Sequence, residues 1–87
     1  MATYLVCCDL NQEFDQEEFV KTISSMGDAR QVLSGAWVVV SEKNAIQIRD
    51  ELNEHLDASE RLLVVKSGSV GAWRSVMSEN KWLADNL

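Results

Sequence analysis

Proline is absent from this chain, and glycine occupies only four of its 87 positions. Nothing therefore reads as a linker, and no repeat or low-complexity stretch is present. No glycine-rich loop suits a phosphate: Gly68-Ser69-Val70-Gly71 lacks the lysine and following Ser/Thr that a P-loop uses. No apolar run approaches the roughly 18 residues that a membrane span needs. Met1-Ala2-Thr3 has neither the basic region nor the cleavage pattern of a signal peptide, so the expected location is the cytoplasm, with no membrane partner.

Basic residues are also scarce. Eight face fourteen acids, giving a formal charge of −6. Arg30, Arg49, Arg61, Lys66, Arg74 and Lys81 stand singly, without the basic patch that usually neutralises phosphates. That weighs against a scaffold gripping long duplexes. His55 is the only histidine, and no cysteine or second histidine has ligand spacing to it, which argues against zinc. The two cysteines, Cys7 and Cys8, are adjacent. On a strand their side chains diverge to opposite faces, so they neither share a metal nor close a ring without backbone strain. Buried free thiols are the expectation.

What is present is enough apolar residue, 46% of the chain, for one small folded domain. Thr3 to Leu10 reads as a β-strand, apolar until it ends on Asp9. An acid at that place faces water, metal or a partner. Asn11-Gln12-Glu13 turns into a helix from about Asp15 to Met26, with Phe19, Val20, Ile23 and Met26 as its apolar stripe. Gly27 suits the helix stop. Arg30–Leu33 and Ala36–Val40 read as strands joined by a hairpin at Ser34-Gly35. Asn44, with Gln47 three residues on, forms a capping-box pattern ahead of a helix carrying Ala45, Ile48, Leu52 and Leu56. Arg61 to Lys66 is the fourth strand. A tail over 67–87 follows, with a short helix through Trp82, Leu83 and Leu87 that Ser78 is placed to cap.

The order βαββαβ predicts an α+β, ferredoxin-like sandwich, with a core over about 3–66. Three strands are apolar on both faces. Tyr4, Val6 and Cys8 oppose Leu5 and Cys7; Val38 and Val40 oppose Trp37 and Val39; Leu62 and Val64 oppose Leu63 and Val65. Two helices cover one face of such a sheet, so the other needs a partner sheet, the tail, or both. A homodimer is expected, with Leu5, Cys7, Trp37, Val39, Trp73 and Trp82 as its dimer or tail packing.

These residues resemble the Cas-two family of CRISPR-associated proteins and its small SinR-like relatives. The resemblance rests on the strand ending Asp9-Leu10, Gly27 after the first helix, and Gln31 and Trp37 in the hairpin. Ile48-Arg49-Asp50-Glu51-Leu52, Leu56-Asp57 and Arg61-Leu62-Leu63-Val64-Val65 extend it over roughly residues 3–66, and the Trp73 and Trp82-Leu83 tail is similar to that of the stand-alone relatives. Cys8 stands where the family usually has tyrosine, and Gly35 where it has the hairpin serine.

The resemblance implies a dimer in a defence, toxin–antitoxin or mobile-element setting. In nucleases of the family two strand-end aspartates are thought to meet across the dimer axis around a divalent metal. That makes Asp9 the candidate catalytic and metal-holding residue, with Mg²⁺ to orient an attacking water. Three readings follow. One is an interaction or regulatory homodimer that requires no cofactor and binds a protein partner. A second is a metal-dependent endoribonuclease acting through paired Asp9. The third is an acidic inhibitor that imitates nucleic acid by presenting Glu13, Asp15, Glu17 and Glu18 to a basic groove of a nucleic-acid-handling protein. The same four acids read more often as a solvated helix start than as a recognition surface.

Overall fold

The computed structural model describes residues 1–10 and 16–87. In chain order the elements are β1 (Ala2–Asp9), α1 (Gln16–Ser25), β2 (Gly27–Leu33), β3 (Ala36–Ser41), α2 (Ala45–Asn53), β4 (Arg61–Lys66) and α3 (Asn80–Asn86). The expected turn at Asn11-Gln12-Glu13 and helix start at Asp15 lie outside the described residues. Among the described residues the four strands make one antiparallel sheet in the order β2-β3-β1-β4. The result is an α+β architecture of four strands and three helices, compatible with a small ferredoxin-like fold. No helix among these residues is long and apolar enough to cross a membrane.

Helices α1 and α2 pack on one face of the sheet because each presents a narrow apolar stripe at helical spacing. Phe19 and Ile23 of α1 and Ile48 and Leu52 of α2 are fully buried against Tyr4, Val6, Trp37 and Val39. Phe19 meets the Trp37 ring edge-on, with centroids 5.3 Å apart. Val20, expected in the α1 stripe, is instead exposed. The capping box at α2 is formed: the Asn44 side chain accepts from Gln47 N–H, and the Gln47 side chain accepts from Asn44 N–H, both at 2.9 Å.

The opposite face is closed by the tail. Leu83 of α3 is buried against Val32, Ala36 and Val38, with Leu5, Cys7, Trp73, Val76 and Trp82 packed around them. Trp82 is fixed at the sheet edge, donating Nε1–H to Asp28 Oδ2 at 3.0 Å while the Arg30 guanidinium lies 4.9 Å over its ring. Asp28 also pairs with Arg30. Met77 N–H donates to Val32 O at 2.9 Å and Thr3 Oγ1 to Asn86 O at 2.6 Å, so the tail is tied to β2 and β1.

Four expectations are corrected. Trp37 and Val39 are on the helix-covered face, so neither is tail or dimer packing; alternation separates them from Val38, which is on the tail side. Gly27 is not a left-handed helix stop but the first residue of β2, without positive φ. It is glycine because a Cβ there would stand 1.9 Å from Val40 O. The second strand consequently starts at Gly27, three residues ahead of Arg30. The N-cap of α3 is Glu79 rather than Ser78, whose buried hydroxyl has no hydrogen-bond partner among the described residues.

Candidate functional site

Asp9 is the last residue of β1, placed there by the apolar run that keeps the preceding residues in the sheet. Its register partner is Arg61, the first residue of β4. Their side chains approach to 3.9 Å between Asp9 Oδ2 and an Arg61 nitrogen, and both are largely exposed, 77% and 84%. A pair so open to water gains little, about 0–1 kcal/mol. It does give the carboxylate a cationic neighbour on its own chain. The antiparallel β1–β4 ladder makes that pairing unavoidable, since it sets the end of one strand against the start of the other.

Asp9 and Arg61 stand at the rim of a cleft of about 460 Å³ lined also by Cys7, Cys8, Gly35 and Leu63. Its floor is held close by Cys8 N–H, which donates to Gly35 O at 2.7 Å. A side chain at Gly35 would place a Cβ 2.6 Å from Cys8 O, so the hairpin can approach β1 there only as glycine. Both thiols are free. Cys8 packs with the helix-side core and Cys7 with the tail-side cluster, as alternation along a strand requires. The Cys8 thiol is pushed up to about 11, first by burial of its sulfur and then by the negative charge of Cys7, Asp9 and Glu60. It is therefore a poor nucleophile at neutral pH.

Among the described residues no group of three or more His, Cys, Asp or Glu side chains is placed to share a metal ion. Asp9 pairs with a cation, Arg61, across the β1–β4 ladder. Mg²⁺ takes oxygen ligands, typically one or two carboxylates with several waters. Among the described residues, Asp9 therefore belongs to no cluster of three such ligands that would hold Mg²⁺.

The acid cluster is divided. Glu17 and Glu18 lie in the first turn of α1, where the helix dipole favours them, and Glu18 is 3.9 Å from Lys21 Nζ. Glu13 and Asp15 lie outside the described residues. His55 closes the helix layer rather than lying free. Its Nε2 is 3.0 Å from Thr22 Oγ1, and because that hydroxyl donates to Glu18 O, the imidazole N–H is assigned as donor to Thr22.

The tail leaves apolar side chains at both edges of its face in water. Leu33, Leu63 and Val65 remain 54%, 58% and 41% exposed after the tail has closed over the rest of that face. Beside Val65 a second hollow of about 300 Å³ runs beneath the tail between Leu5, Val38, Trp73, Leu83 and Leu87. The signal available in the sequence was the equal apolarity of Leu62–Val65 on both faces. What it could not indicate was how far the tail reaches. Comparisons with family models, with curated proteins and with solved structures gave no match.

Proposed function

We propose that the chain is a ferredoxin-like homodimer of the Cas-two-like kind that acts as a protein-interaction or regulatory module. The observation that carries this reading is that the neighbouring β4 residues Leu63 and Val65, with Leu33 on the far edge strand, stay solvent-facing beside the tail. Adjacent exposed apolar side chains on one strand, such as Leu63 and Val65, suit an interaction site. The acidic balance, −6 in all, disfavours a nucleic-acid backbone as the partner. The defence, toxin–antitoxin or mobile-element setting rests on the sequence resemblance alone.

A second reading, a metal-dependent endoribonuclease, is favoured by one observation: Asp9 is exposed at the rim of a cleft. The two are separated by one pair of measurements, sedimentation equilibrium at micromolar concentration and cleavage of single-stranded RNA in Mg²⁺. The interaction reading expects a dimeric mass and the same background cleavage from wild type and Asp9→Ala. A monomeric mass removes the homodimer. Mg²⁺-dependent cleavage that Asp9→Ala abolishes while the mass is unchanged establishes the nuclease instead.

A further inference from the structure

The two edges of the sheet are treated differently. The β2 edge is engaged by the tail through Met77 N–H and Val32 O. The β4 edge ends the sheet on the other side, and among the described residues nothing pairs with it. Which of its groups are open follows from the register. Ser67 N–H donates to Thr3 O at 2.8 Å, extending the ladder that runs from Tyr4↔Lys66 to Asp9↔Arg61. Alternation then turns the backbone groups of Arg61, Leu63 and Val65 towards β1. Those of Leu62, Val64 and Lys66 turn outwards. Natural sheets usually blunt such an edge with inward charges, a bulge or proline. The middle of β4, Leu62-Leu63-Val64-Val65, carries none of these.

We propose that the β4 edge pairs antiparallel with the same edge of a second copy, about a two-fold axis through Leu63, joining two sheets into one of eight strands. The inference rests on the homodimer reading above and specifies its surface. Antiparallel pairing about a two-fold axis is self-complementary here only in registers that set like faces together and match outward-turned residues with each other. The register centred on Leu63 does both. Leu62 then opposes Val64 of the second copy, on the helix side where both already pack. Leu63 opposes its own counterpart at a close, non-hydrogen-bonded site.

Charge selects this register over its neighbour. Lys66 makes no ion pair among the described residues. With the axis at Leu63 it faces Glu60 of the second copy, twice by symmetry. With the axis shifted to Val64 it would face Leu62 instead, and the cation would gain nothing. The Leu63 axis also bears on Asp9. Two residues along β4 and one strand inwards, taking about 3.4 Å per residue and about 4.8 Å between strands, separate the two Asp9 backbones by roughly 20 Å. One Mg²⁺, with ligand distances of about 2.1 Å, cannot bridge them. The pairing therefore builds an interaction dimer in which the strand-end acids stay apart.

Cross-linking tests the axis directly. In a C7S/C8S background, L63C is oxidised with copper phenanthroline beside I46C, whose position on α2 is also exposed, 60%. Disulfide-linked dimer from L63C is expected roughly tenfold faster or more than from I46C, because pairing raises the local thiol concentration to the millimolar range. K66E is expected to weaken the dimer roughly fivefold through two symmetric exposed pairs. A dimeric mass with no preferential L63C cross-link overturns the β4 pairing and leaves the homodimer standing. A K66E dimer as tight as wild type overturns the Leu63-centred register. A monomeric wild-type protein overturns both.

Discussion

At Gly27 the backbone leaves no space for a side chain, since a Cβ would meet Val40 O at 1.9 Å and Ser41 Cα at 3.2 Å. Both contacts are backbone of the paired strand and cannot rotate away. Gly27→Ala is therefore expected to cost about 2 kcal/mol or more, read as a lower urea midpoint with an unchanged slope. The sequence shows the glycine but not its role, because a glycine after a helix normally signals a left-handed stop. Cys8 makes a prediction of the opposite kind, in pH. Its thiol is held up to about 11 from an ordinary 9.0 by burial and neighbouring charge, so the folded state prefers it protonated. Its contribution to stability is complete below pH 9 and is lost as pH rises through about 11, where the unfolded chain ionises more readily. Chemical denaturation between pH 8 and 11 should show that fall, and Cys8→Ser should flatten it. Alkylation at pH 8 should modify Cys7 before Cys8.

Among the elements, α3 is the one whose loss would matter most for the outer face. It has seven residues and no side-chain cap, too little to stand as an isolated helix. Packing holds it: Leu83 is 2% exposed, and Trp82 is fixed by Asp28 and Arg30. Leu83→Ala should cost about 3 kcal/mol in denaturant titration and raise binding of an apolar dye, as the tail loosens over Leu5 and Val38. The helix was legible in its apolar residues, while its start was not. Ser78 has the right chemistry for a cap, yet the chain enters the helix at Glu79 with the Ser78 hydroxyl turned into the interior. By contrast the α2 cap was fully legible, because Asn44 and Gln47 bond to each other's backbone and need nothing from the rest of the molecule.

In the whole molecule two cores share one sheet, each too small to be sufficient. The helix side holds Tyr4, Val6, Trp37 and Val39; the tail side holds Val32, Ala36, Val38 and Leu83. A chain ended after Lys66 would leave the second set open to water, and small domains have little stability to spare. That shortened protein is expected to lose its cooperative thermal transition in calorimetry and to elute as heterogeneous aggregate. The full chain should give one transition. The candidate site belongs to this scale too, because Asp9 acquires Arg61 as its neighbour only when β1 and β4 pair. Asp9 itself was evident from its place at the end of an apolar run. Arg61 and the open β4 edge were not, since strand partners lie far apart in sequence.

The sequence by itself determined the element order, the α2 cap, the divergence of Cys7 from Cys8 and the need to cover a second sheet face. All of these depend on local bonding or on alternation along one strand. Tertiary structure alone decided which parity of each strand looks towards the helices. It therefore placed Trp37 and Val39 in the helix-side core and left Leu63 and Val65 as the remaining surface. The physical reason is symmetry. A strand apolar on both faces carries no mark of inside or outside, so only the sides taken by the two crossover helices and the tail give it one.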